Sequence, residues 1–114
     1  MNQPIVTRQS LTAMLLKADN AKKAEIIGRA LCHLLDRQTV AEKMTKSTNT
    51  DNDIGFQKSD ARSGTLTALS FRRSGTLQQW QIDKWMKPSG RSGAPRIAKY
   101  HRQLNEVAEA KRRG

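Results

Sequence analysis

Residues 20–36 read NAKKAEIIGRALCHLLD, and this stretch decides the fold. Ile26, Ile27, Ala30, Leu31, Leu34 and Leu35 recur at the spacing of one helix face, while Lys22, Lys23, Glu25, Arg29 and Asp36 fall largely elsewhere. Asn20 can cap this helix, and the pattern continues through Val40, Ala41 and Met44, with Glu42 and Lys46 as an i,i+4 pair. Upstream, Ser10 can cap a shorter helix to about Ala18 that aligns Leu11, Met14, Leu15 and Ala18. Downstream, residues 47–59 are rich in Asn, Asp, Ser and Thr and read as a loop, with Ile54 and Phe56 anchoring it and Gly55 permitting a tight turn.

A third helix starts at Ser59 or Asp60, or as late as Ser63 because Gly64 weakens its first turn, and runs to about Arg73 with Leu66, Leu69 and Phe71 facing inward. Gly75 supplies its stop, and Thr76 with Gln79 forms a capping box for a fourth helix that ends before Pro88. Residues 88–95 form a basic Pro/Gly/Ser linker. Pro95 opens a last helix, whose stripe is Ile97, Tyr100, Leu104, Val107 and Ala108. The expectation is a single all-α domain of about five helices, with residues 1–9 and 111–114 flexible. There is no internal repeat and no strand pattern.

Charge is distributed unevenly. The 114-residue chain carries a formal +11; residues 1–60 hold 9 basic and 7 acidic side chains, and residues 61–114 hold 12 and 3. A concentrated basic half attracts polyanions, nucleic acid above all. The candidate phosphate contacts are Arg72, Arg73, Lys84, Lys87, Arg91, Arg96, Lys99 and Arg102. Residues 60–87 also have the outline of a helix-turn-helix, which would turn Gln78, Gln79, Gln81 and Lys84 toward base edges. Phe71 and Gln81 stand where such a motif usually has a small and an apolar residue, so an ordinary helical hairpin fits the details better. Trp80 and Trp85 point about 140° apart on a helix. One then belongs to the core and the other, taken as Trp85, to base stacking or partner contact, unless both are wedged between helices.

Other chemistry finds little support. Asn49, Asp51, Asp53 and Asp60 only faintly follow a calcium loop, since Ile54 stands at the glycine position. Cys32, the sole cysteine, sits among leucines as an inert thiol, and His33 and His101 are isolated, with no zinc spacing. No phosphate loop, nucleophile elbow or carboxylate pair is present, so neither catalysis nor a cofactor is expected. No run is apolar enough to span a bilayer and no secretory leader is seen, so a cytoplasmic setting is expected.

Three stretches, Arg37-Gln38-Thr39 with Glu42, Gly55-Phe56 with Asp60-Ala61, and Trp85 and Lys87 followed by Lys99-Tyr100 and Gln103-Leu104, together resemble a group of small uncharacterised proteins of bacterial phages and plasmids. The resemblance covers roughly residues 20–108. It implies a mobile-element setting in a bacterial host and no site residues. The leading expectation is a small, basic, non-catalytic accessory protein that binds nucleic acid, DNA in preference to RNA, through phosphate contacts from residues 62–102. The runner-up is an interaction module that modulates a host nucleic-acid machine or defence system, anchored by an exposed tryptophan or by Ile54 and Phe56.

Overall fold

The computed structural model describes residues 5–45, 55–88 and 93–113. Five α-helices appear in order: α1 (Arg8–Lys17), α2 (Asn20–Thr45), α3 (Ala61–Ser74), α4 (Gln79–Met86) and α5 (His101–Arg113). A 3₁₀ segment (Arg96–Tyr100) leads into α5, which continues through the stretch read as a loose tail. Among the described residues the only extended pairing is an isolated bridge between Pro88 and Pro95, where Arg96 N–H donates to the Lys87 carbonyl at 3.0 Å. The all-α expectation holds.

Helix starts differ from the sequence reading by a few residues, each for a local reason. Thr7 caps α1. Its hydroxyl accepts from Ser10 N–H at 3.0 Å, and Ser10 Oγ accepts from Thr7 N–H at 2.9 Å, so Ser10 is the third helical residue rather than the cap. Asp19, one residue before Asn20, accepts from Lys22 N–H at 2.8 Å. Ser74 Oγ bonds both the N–H and the carbonyl of Thr76, which holds Thr76 in the turn while Leu77 is buried. The expected capping box therefore moves two residues on, and Gln78 N–H donates to Gln81 Oε1 at 2.9 Å.

Central to the core is α2, whose Ala24, Ile27, Ala30, Leu31, Leu34 and Leu35 are all buried. Leu11 and Leu15 of α1 join them, and Met14 does not, being exposed. The contact of α2 with α3 is made by small residues. A Cβ on Gly28 would lie 2.2 Å from the Phe71 ring, and one on Gly64 would lie 2.4 Å from the buried Phe56 ring. Gly64, Thr67 and Ala68 of α3 therefore face inward, and the expectation for Leu66 and Leu69 is overturned: they are 59% and 45% exposed. The close approach of two helices selects small side chains, and that rotates the larger leucines outward.

A polar centre joins the second half of the chain. Asp60, at the start of α3, is fully buried. Its carboxylate accepts from Arg96, with Nε at 2.9 Å, from Lys99 Nζ at 2.6 Å and from the Tyr100 hydroxyl at 2.5 Å. Burial pushes its pKa up, but the bonds from Lys99, Tyr100 and Arg96 outweigh burial and hold it below the usual carboxylate value. Burial and the Asp60 bond raise the Tyr100 pKa. Around this centre, side chains bond the backbone of residues 55–57. Gly55 N–H donates to Gln103 Oε1 at 2.7 Å and Gln103 Nε2 donates back to the Gly55 carbonyl at 2.9 Å. Phe56 N–H donates to Gln38 Oε1 and Gln57 N–H donates to Tyr100 Oη. Gly55 has φ +84°, and a Cβ there would lie 2.4 Å from Gln38 Cβ, so the turn requires glycine. Gln38, Gly55, Phe56, Asp60, Lys99, Tyr100 and Gln103, residues that carry the sequence resemblance, thus meet in one place.

Gly28→Ala and Gly64→Ala should each lower stability by up to about 2 kcal/mol, because overpacking of about 1–3 kcal/mol is offset by a helix-propensity gain of about 1 kcal/mol. Urea unfolding followed by helical circular dichroism measures this. Asp60→Asn should cost about 2–4 kcal/mol, less than a fully buried broken pair because Arg96 and Lys99 keep some water. The lowered folded pKa also fixes a sign. The stabilisation from Asp60 is present above its unfolded pKa of about 3.9 and is lost as pH falls through the lower folded value. Wild-type urea midpoints should therefore drop below about pH 4, and the Asn variant should show a shallower drop there.

Candidate nucleic-acid interface

The structure does not gather the eight basic candidates onto one face. Arg72 crosses to α2, where it pairs with Asp36 at 2.5 Å and donates to the Cys32 carbonyl. Arg96 and Lys99 converge on Asp60, and Arg96 also lies over the Trp85 ring at 5.8 Å. Arg102 sits with Arg8 around His101, whose pKa is lowered by burial and by these two cations. Arg73 is on the outer face of α3, and Arg91 lies outside the described residues. Among the described residues only Lys84, on α4, and Lys87, at its C-cap, lie together without an ion pair, Lys84 partly exposed and Lys87 exposed.

The two tryptophans separate as their spacing requires, but in the opposite sense to the assignment. Trp85 is fully buried, tilted against Phe56 with ring centroids 6.4 Å apart, and cannot contact a partner. Trp80 is 61% exposed. Residues 80, 84 and 87 follow i, i+4, i+7 spacing, so Trp80, Lys84 and Lys87 share the outer stripe of α4. Asp83 and Gln79 border it on one side. The signal for Trp80 was present in the sequence: the helix face that holds Leu77, Ile82 and Trp85 leaves Trp80 outside.

All three glutamines assigned to base edges are engaged within the helix. Gln78 Oε1 accepts from the Trp80 indole N–H at 2.7 Å. Gln79 Nε2 donates to Asp83 Oδ1 at 2.8 Å. Gln81 is buried and its Oε1 is held by Gln78 N–H. Nor is α3–α4 a self-contained hairpin, since α3 packs along α2 and α4 packs on α2 and the 3₁₀ segment. Burial withdraws Gln81 from sequence readout, and Gln78 and Gln79 each have one amide atom bonded within this segment.

A second exposed stripe lies on α3. Arg62, Leu66, Leu69 and Arg73 fall within about 60° of helix rotation, all four are exposed, and among the described residues neither arginine makes an ion pair. Phe56, by contrast, is buried and Ile54 lies outside the described residues, so neither serves as the exposed anchor considered from sequence.

The remaining titratable groups are structural. Asp36 and Arg37 do not pair with each other; Arg37 reaches Glu106 at 2.7 Å. Burial raises the Cys32 thiol pKa, and its Sγ donates to the Ala68 carbonyl at 3.5 Å. His33 Nε2 lies 3.3 Å from Lys111 Nζ, and burial followed by that cation lowers its pKa. Of the faint calcium-loop set, Asn49, Asp51 and Asp53 lie outside the described residues and the Asp60 carboxylate is occupied by cations. No described helix is long and apolar enough to cross a membrane. Comparison with protein-family models, with curated proteins and with solved structures finds no match to this chain.

Proposed function

We propose that the chain is a small non-catalytic accessory protein of a bacterial mobile element that binds nucleic acid in the cytoplasm through the outer face of α4. The observation that carries this reading is the stripe of Trp80, Lys84 and Lys87, an exposed aromatic beside two unpaired cations, on a chain of net charge +11. Docking is electrostatic: each lysine that neutralises a phosphate releases counterions, and binding weakens with salt. The engaged glutamines favour binding that is indifferent to sequence. Arg96 and Lys99 are poor probes of this site, because replacing them strips Asp60 of its partners.

A second reading, a protein-interaction module acting on a host machine or defence system, draws on the α3 stripe. Exposed Leu66 and Leu69 between two unpaired arginines form an apolar contact with a basic rim.

The Lys84→Ala/Lys87→Ala variant should keep its helical signal yet bind labelled DNA more weakly at every sequence tried. Its slope of log affinity against log salt between about 50 and 200 mM should be shallower by about one unit per lysine. An unchanged slope measured by fluorescence anisotropy would remove these lysines from the interface. For the second reading, a host protein captured from nuclease-treated lysate by the wild type should be lost with Leu66→Ser/Leu69→Ser. Capture that disappears with nuclease alone would sink it.

A further inference from the structure

We infer that the α4 face takes an unpaired nucleic-acid strand, with Trp80 as the platform on which a base stacks and Lys84 and Lys87 as the phosphate contacts. This rests on the nucleic-acid reading and narrows it to a substrate class.

The Trp80 indole N–H already donates to Gln78 Oε1 at 2.7 Å. That bond satisfies the polar edge and fixes the ring on the surface. The free part of the side chain is its π face, and the complementary ligand is another flat π face. Bases inside a duplex have both faces covered by their neighbours, so a groove presents edges and phosphates, not faces. An unpaired base offers its face, and base–aromatic stacking is a recurrent means of holding single strands without regard to sequence.

The neighbours of Trp80 fit the same ligand. Lys84 and Lys87 lie about 6 and 10 Å from it along the helix axis, close enough to meet phosphates beside a stacked base. Asp83 is on this face too, but toward Gln79, whose Nε2 it accepts at 2.8 Å. Of the polar side-chain atoms that could read base edges, Gln78 Oε1, Gln79 Nε2 and Gln81 Oε1 are already bonded within this segment. The platform is also independent of the core, since Trp80 is the exposed tryptophan and Trp85 the buried one.

The test is fluorescence anisotropy with a labelled oligothymidylate and a duplex of equal length, at about 50 mM salt, using the whole chain. Wild type should bind oligothymidylate more tightly than duplex. Trp80→Ala should weaken oligothymidylate binding about 5- to 100-fold and bring the ratio of the two affinities toward one, while Trp80→Phe keeps most of the ratio. Adding oligothymidylate should quench wild-type tryptophan emission and leave the emission of Trp80→Phe, which comes from buried Trp85, unchanged. Duplex binding as tight as single-strand binding, or equal loss of both with Trp80→Ala, would overturn the single-strand inference and leave the nucleic-acid reading standing. Failure of wild type to bind either would overturn both.

Discussion

The buried carboxylate of Asp60 sets the terms for the second half of this molecule. Taking a carboxylate out of water costs several kcal/mol, which only well-placed opposite charges and hydrogen bonds can offset. Here Arg96, Lys99 and Tyr100 do so together, and all three lie in one 3₁₀ segment. The 3₁₀ conformation suits that task in part, because its three-residue turn eclipses residues 96 and 99 and brings both cations to the carboxylate. The consequences spread outward. The start of α3 is tied to the entry of α5, and Tyr100 passes the constraint to residues 55–57 by accepting from Gln57 N–H. Gln38 and Gln103 complete the closure of that turn on α2 and α5.

The same centre decides what the surface can do. A formal +11 suggests abundant free cations, yet many are committed within the fold. Arg96 and Lys99 hold Asp60, Arg72 holds Asp36 and Arg37 holds Glu106. The excess of charge is therefore a poor map of a binding site. Of the cations followed above, those left unpaired among the described residues fall in three places, the α4 stripe, the α3 stripe and the Arg8–Arg102 neighbourhood. Only the first pairs its cations with an exposed aromatic ring.

Much of the fold was legible in the sequence because it follows from local periodicity. The α2 stripe, the stop at Gly75 and the burial of Ile97, Tyr100 and Leu104 all depend on spacing and turn chemistry within one element. What escaped depends on partners far apart in the chain. On α3 two stripes share helical spacing, one of Leu66 and Leu69, the other of Gly64, Ala68 and Phe71. Only the seating of the Phe71 ring on Gly28 and of the Phe56 ring on Gly64 decides which faces inward. The role of Asp60 was hidden for the same reason, because its partners lie 36 to 40 residues away. The candidate site was legible in its residue types and half misread in its geometry: the lysines of α4 stood out, while Trp85 was assigned the role that its neighbour Trp80 is placed to fill.

Exposed apolar side chains scattered singly are ordinary on protein surfaces, so exposure alone gives Trp80 no meaning. Three constraints acting together do. The indole N–H is bonded, which removes the polar edge from use and restricts ring rotation. The only tryptophan the core requires is Trp85, so the fold gains little from a second one on the outer face of an eight-residue helix. Two unpaired lysines follow at the spacing that keeps them on the same stripe. A surface ring held in one orientation, with its face open and cations beside it, has lost in advance part of the side-chain freedom that binding would otherwise remove. That pre-organisation is what separates a contact site from an accidental exposure, and on this molecule the described residues show it at Trp80 and not at Leu66, Leu69 or Leu16.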